Sequence, residues 1–182
     1  MPVDPVDNGW CFLSWTRIHT LAGYKNIEDV QVGDMVLGYN EITKRNEYNK
    51  VSQIFVHGNN YTDLYELSIN WWDILKVTSV HPFYVVRNWF EGYQWIEAQN
   101  LKIWDMILLK NGRYEPVDKI THYPYIWDVY NLEVENTHNY YVGKWYLVYN
   151  KVDWEQQERE EMCDKIDPET GEKRHCREWE TP

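Results

Sequence analysis

Four blocks of residues occur twice in the same order, and this repeat constrains the fold more than any other feature of the chain. Val32-Gly33-Asp34-Met35-Val36-Leu37 returns as Ile103-Trp104-Asp105-Met106-Ile107-Leu108, each preceded by an Ile-Glu pair at Ile27-Glu28 and Ile96-Glu97. Val51-Ser52-Gln53-Ile54 is echoed by Val117-Asp118-Lys119-Ile120. Leu64-Tyr65-Glu66-Leu67-Ser68-Ile69 is echoed by Val129-Tyr130-Asn131-Leu132-Glu133-Val134. His81-Pro82-Phe83-Tyr84-Val85 then matches His138-Asn139-Tyr140-Tyr141-Val142. Four matched blocks in the same order predict two copies of one β unit related by a pseudo-two-fold axis. Cys11 and Asn150 stand at the outer ends of the copies, and the ends of such a closed unit are expected to meet at the surface.

The blocks lie in short runs rich in Val, Ile, Tyr and Trp, residues that suit a pleated, half-buried surface. Strands are expected at Arg17–Thr20, Met35–Tyr39, Val51–His57, Asp63–Ile69, Ile74–Val77, Phe83–Val86, Met106–Leu109, Val117–Thr121, Asp128–Glu135, Tyr140–Val142 and Trp145–Val148. Gly58-Asn59-Asn60 and Asn111-Gly112 read as turns, and only Ile27–Val30 and Trp95–Leu101 as single helical turns. The fold class is therefore all-β, with one domain over residues 11–150. Residues 1–10 read as an extended N-terminal flank. Residues 151–182 hold 6 Lys/Arg against 11 Asp/Glu, and are expected to form an acidic tail, part frayed helix and part disorder.

A net charge of −11 argues against a nucleic-acid partner, which calls for a basic patch. No apolar run reaches the roughly 18 residues of a membrane span, and residues 1–10 lack the pattern of a secretory signal. Cys11, Cys163 and Cys176 include no Cys-x-x-Cys pair, and His175-Cys176 lacks zinc spacing, so no metal or cofactor is expected. A Cys163–Cys176 disulfide and the compartment both stay open.

Cys11, Thr78, His81, His138 and Asn150 are the residues that carry chemistry. A thiol at Cys11 can attack the carbonyl before it and turn the Trp10–Cys11 amide into a thioester, provided that proton transfers to and from sulfur and nitrogen are managed. His81 titrates in the right range to protonate the departing nitrogen. Thr78, three residues earlier, is placed to hold the scissile peptide by an oxyanion-type contact. At the other end, the Asn150 amide nitrogen can attack its own carbonyl, form a succinimide and release whatever begins at Lys151, with His138 as candidate acid or base. The substrate would be the chain's own flanking polypeptide, and a monomer suffices.

These residues resemble the Hint superfamily of inteins, bacterial intein-like domains, hedgehog autoprocessing domains and especially the pretoxin Hint domains of bacterial polymorphic toxins. Cys11-Phe12 through Thr16 resembles the family opening. Gly23-Tyr24-Lys25-Asn26-Ile27-Glu28 with Val32-Gly33-Asp34-Met35-Val36 is similar to the next block. Thr78-Ser79-Val80-His81-Pro82-Phe83 is similar to the catalytic Thr-x-x-His-Pro-Phe. Trp95-Ile96-Glu97-Ala98, Leu101–Asp105, and Val129–Val134 with His138–Gly143 follow in family order. The resemblance implies a Hint-type horseshoe of short strands and autocatalytic peptide cleavage or splicing. It also implies release of a flanking polypeptide such as a C-terminal toxin, and a secreted or cell-surface bacterial setting.

Departures from the family bear on mechanism. The terminal His-Asn of the family is Tyr149-Asn150 here, and a phenol is a poor base near neutral pH. Lys151 follows, not Cys, Ser or Thr, so no downstream nucleophile can receive a thioester and cleavage is expected in place of splicing. Asn131 stands where inteins often carry Asp. Trp15, Trp104 and Trp145 occupy glycine positions of the family, and the repeat independently sets Trp104 against Gly33. Such turns need positive φ, which an indole-bearing residue accepts poorly. The hypothesis is that these codons are UGA, translated as tryptophan where the source reads glycine; UGG at the three positions would sink it. Two other functions compete: a non-catalytic β binding module built on the aromatic residues, and hedgehog-like transfer of the thioester to an external nucleophile.

Overall fold

The structure is a computed structural model and describes residues 9–61, 63–88, 90, 92–123 and 127–150. Its strands are β1 Phe12–Leu13, β2 Arg17–Thr20, β3 Gly23–Asn26, β4 Met35–Asn40, β5 Arg45–Tyr61, β6 Leu64–Ile69 and β7 Asp73–Thr78. They continue as β8 Pro82–Val86, β9 Tyr93–Glu97, β10 Met106–Leu108, β11 Tyr114–Tyr123, β12 Trp127–Val134, β13 Asn139–Val142 and β14 Tyr146–Tyr149. Two short 3₁₀ turns, Ile27–Asp29 and Ala98–Asn100, are the only helical pieces among the described residues. The all-β expectation holds; the tail at 151–182 lies outside the described residues.

The strands pair in the order β10-β11-β6-β7-β1-β12-β5-β4-β2-β13-β14-β8-β9, and β10 also pairs β8, which closes the path on itself. Closure removes the exposed edges that invite aggregation. Only β3 on β2 and β9 on β8 stand outside the ring.

The repeat appears in this path as exchange of strands between copies. β5 of the first copy pairs with β12 of the second, Val51 opposite Val134, while β11 of the second pairs with β6 of the first, Val117 opposite Ile69. The turns match bond for bond. Gly33 N–H donates to Val51 O and Val51 N–H to Asp34 O, just as Trp104 N–H donates to Val117 O and Val117 N–H to Asp105 O. Asp34 accepts from Gln31 N–H and Lys25, and Asp105 from Lys102 N–H and Arg87. The pseudo-two-fold axis runs between β1 and β7 and again between β13 and β14.

This geometry corrects two parts of the expected repeat. Ile27 N–H donates to Thr16 O as Ala98 N–H donates to His81 O, so the mate of Ile27 is Ala98, not Ile96. By the same bonds the mate of His81 is Thr16, and β8 sits against β10 as β2 sits against β4. His138 therefore belongs to the β13–β14 hairpin, which lies across the axis and in neither copy. The resemblance of His81–Val85 to His138–Val142 reflects similar β-prone residues, not equivalent positions.

Local readings also change. Trp95–Leu101 is not one helical turn but the end of β9 followed by a 3₁₀ turn, because β9 pairs with β8 from Tyr93 to Glu97. Gly58-Asn59-Asn60 is not a turn: β5 runs on to Tyr61, and the register against β12 shifts there between Trp127 and Val129. Glycine serves that bulge instead, since an added Cβ would meet Asp128 Oδ1 at 3.3 Å. β1, β3 and β9 were not expected as strands; each is short or half-exposed, with little apolar alternation to mark it.

Inward-facing residues of both copies and of the β13–β14 hairpin, among them Phe12, Ile18, Val36, Leu67, Phe83, Ile107, Leu132 and Tyr140, form the core. The backbone bears on the tryptophans directly. Among the described residues, eight non-glycine residues have positive φ and four of these are Trp15 (71°), Trp71 (65°), Trp104 (76°) and Trp145 (87°). Gly33, the symmetry mate of Trp104, has φ 97°. The three suspected positions are thus all left-handed, and Trp71 joins them. It follows Asn70 (φ 50°) in the β6–β7 hairpin, where successive positive φ values favour Asn-Gly.

Candidate active site

Pairing at the pseudo-two-fold axis builds the site. Phe12 of β1 lies opposite Val77 of β7, which sets Cys11 beside Thr78. Thr78 then clamps the Cys11 peptide. The Cys11 N–H donates to Thr78 Oγ1 at 2.8 Å, while Thr78 Oγ1 and Thr78 N–H donate to Cys11 O at 3.2 and 2.9 Å. One hydroxyl can accept and donate at once, so this set is self-consistent. Thr78 makes no described bond to the Trp10 carbonyl; it holds the nitrogen side of the Trp10–Cys11 bond, not the oxygen expected for an oxyanion contact.

His81 is fully buried and its ring sits 4.1 Å from that of Phe12. Neither ring nitrogen completes a hydrogen bond of good geometry, although the Trp10 carbonyl is close enough to act on the imidazole. Burial pushes His81 down to about 3, with the Trp10 carbonyl opposing in part. The ring is therefore neutral near pH 7 and can accept a proton. Its one remaining N–H is too weakly acidic to protonate the departing nitrogen until the ring has taken a second proton.

Cys11 is buried and its sulfur forms no disulfide. The Tyr140 phenol is held well above its ordinary value, first by burial and then by the nearby Cys11 sulfur. Tyr140 donates to Asn131 Oδ1 at 2.9 Å, and that same oxygen accepts the Leu132 N–H at 2.8 Å. Asn131 is thus committed to holding Tyr140 and its own backbone.

The opposite end of the domain comes to the same neighbourhood. The rings of Trp10 and Tyr149 lie 6.4 Å apart, and Tyr149 also packs on Trp95 at 4.7 Å. Asn150 is buried, and its N–H donates to the His138 carbonyl at 2.8 Å. Its side-chain Nδ2 donates to Leu132 O and to Glu133 Oε2, the latter at 3.5 Å. Oδ1 is buried without a partner, and exchanging it with Nδ2 would set oxygen against two oxygens. The His138 ring contacts Glu133, Nδ1 to Oε1 at 2.9 Å. Glu133 is the residue that the sequence reading missed. Its position opposite Ser68 in the repeat was the available signal, a carboxylate where the other copy has a hydroxyl. No grouping of His, Cys, Asp or Glu able to hold a metal occurs among the described residues.

Comparison with known proteins agrees with this geometry. Residues 17–152 match the family described as the pretoxin Hint domain. The solution structure of a bacterial intein-like domain from Clostridium thermocellum is similar at 31% identity and TM-score 0.68, covering 77% of this chain and 98% of that one. A DnaB intein from Synechocystis sp. is similar at 21% identity and TM-score 0.67, covering 79% and 99%. An intein from a hyperthermophile follows at 14% identity and TM-score 0.64, covering 78% and 99%. No curated protein matches the chain. The closed antiparallel ring, the repeat and the match over most of the chain have one meaning: this chain belongs to the pretoxin Hint domain family, a group of intein-like self-processing domains.

Proposed function

We propose that the domain cleaves its own backbone in single turnovers, first by an N-to-S acyl shift at Trp10–Cys11 and then by cyclisation of Asn150. The observation that carries this reading is the Thr78 clamp on the Cys11 peptide beside a buried, neutral His81. In the first step the Cys11 sulfur bonds the Trp10 carbonyl carbon and the carbon–nitrogen bond breaks. His81 takes the thiol proton and returns it to the departing nitrogen, so proton and electron pair balance. The Thr78 oxygen, already accepting from that nitrogen, binds it more strongly as positive charge develops, which favours the transition state over the amide.

Cleavage, not splicing, follows from Lys151, whose side chain cannot serve as an acceptor the way a Cys, Ser or Thr would. The product of the second step would be a freed polypeptide beginning at Lys151, such as a C-terminal toxin. The first step is tested by incubating a fusion that carries residues 1–182 with a small thiol. An N-terminal fragment ending in a Trp10 thioester, detected by mass, is expected; an unchanged fusion would reject the reading.

A further inference from the structure

The second step needs a group to take a proton from the Asn150 amide, and the residue before it is a tyrosine. The Tyr149 ring is committed to packing against Trp95 and Trp10, and its phenol is a weak base. His138 accepts the Asn150 backbone N–H at its carbonyl oxygen, while its ring Nδ1 meets Glu133. Among the described residues, the one ionisable side chain bonded to the Asn150 amide is Glu133.

We propose that the Glu133 carboxylate is the proton acceptor for Asn150 cyclisation, oriented by His138; this rests on the cyclisation reading above and names its catalytic base. Glu133 lies on β12, and that strand offers both oxygens to the amide: the Leu132 carbonyl takes one N–H and Glu133 Oε2 the other. The second carboxylate oxygen is held by His138 Nδ1 at 2.9 Å, which fixes the rotamer. The Glu133 side chain is 17% exposed, so little water competes for it. The symmetry mate of Glu133 is Ser68, whose hydroxyl donates to Asp118 at 3.1 Å. The repeat thus departs from itself at the residue beside the Asn150 amide, a carboxylate in one copy and a hydroxyl in the other.

The step balances with residues of this chain alone. Nδ2 bonds the Asn150 carbonyl carbon and gives one proton to Glu133, and the bond from that carbon to the Lys151 nitrogen breaks. The proton passes on to the Lys151 nitrogen, which leaves as a free amine. Asn150 remains as an aminosuccinimide, and the carboxylate is regenerated.

The test uses residues 1–182 fused between two soluble proteins, with both cuts followed by mass. Glu133→Gln keeps the shape but cannot accept the proton. It is expected to slow cleavage after Asn150 by about 10²-fold or more, while thiol-dependent cleavage at Trp10–Cys11 continues. Formate is expected to restore cleavage after Asn150 in Glu133→Ala but not in Asn150→Ala. Wild-type rates in Glu133→Gln, with Asn150→Ala inactive, would overturn this proposal and leave the cyclisation reading standing. Loss of both cuts together, or no rescue by formate, would reduce Glu133 to a structural residue and also overturn it. A wild-type fusion that never cleaves after Asn150 would overturn both.

Discussion

Replacing Trp15, Trp71 and Trp104 together by glycine should stabilise the domain, although it deletes three large side chains. Each residue sits at positive φ, where a side chain costs roughly 1–2 kcal/mol. Glycine gives back about 0.5–1 kcal/mol of that through its extra freedom in the unfolded chain. The indoles contribute little in return, since they are 78%, 66% and 63% exposed. The one ring contact recorded among them is Trp71 with Trp104 at 6.4 Å. The net gain is on the order of 2 kcal/mol, a rise in melting temperature of about 5 °C for a domain of this size. The mirror experiment is Gly33→Ala at the symmetry-related turn. Nothing lies within 4 Å of a Cβ there, so its cost is backbone strain alone, about 1 kcal/mol. Thermal melts by circular dichroism give both numbers. A lower melting temperature in the triple variant, or no loss in Gly33→Ala, would refute the strain argument. UGG codons at these positions would refute the genetic-code explanation while leaving the strain itself intact. Trp145 is separate, because its Nε1 donates to Tyr24 at 3.0 Å and Lys110 lies over its ring at 4.8 Å; Trp145→Gly should be near neutral.

Other outcomes follow from the site. An unfolded histidine takes its proton below about 6.5, while folded His81 takes it only below about 3, so the unfolded chain binds more protons in between. Stability should be full above about pH 6.5 and fall as the pH drops toward 3, by on the order of 4 kcal/mol, and His81→Phe should flatten the denaturant-measured curve. His19, pushed down to about 4 chiefly by burial, adds to the slope in the same direction. Thr78→Val strands the buried Cys11 N–H and should slow thioester formation by about 10²-fold, read as the rate of thiol-induced cleavage. Tyr149→His places an imidazole before Asn150 and should speed release of the downstream fragment by about tenfold, timed on gels; no change would mean that proton transfer does not limit this cut.

Most of the architecture was legible because the repeat carries it. An Asp-Met turn preceded by a β-branched residue two positions earlier recurs with the paired apolar runs in the same order, and the two Asp side chains, Asp34 and Asp105, cap the same turn in each copy. The alignment failed where residue likeness outweighed register. Ile27 and Ala98 are equivalent through a backbone bond and stand equally far before Asp34 and Asp105, whereas Ile96 matches Ile27 in residue type alone. The Thr78–His81 spacing pointed to the amino-terminal half of the site, since a turn of that length brings both residues to one peptide. Glu133 was not legible, because an alternating strand residue looks like ordinary solvent-facing charge until β14 places Asn150 against it. His138, the candidate acid or base from its place in the sequence repeat, turns its ring Nδ1 toward Glu133.

The central claim is that Cys11, Thr78, His81 and Asn150 act on the chain's own backbone. The most direct measurement is the mass of every product formed by residues 1–182 between two soluble proteins, for the wild type, Cys11→Ala, His81→Ala and Asn150→Ala. Wild type should yield separate fragments ending at Trp10 and beginning at Lys151, with no ligated flanks. Cys11→Ala and His81→Ala should lose the first cut, and Asn150→Ala only the second. Intact fusion in all four proteins, with and without thiol, would contradict the account.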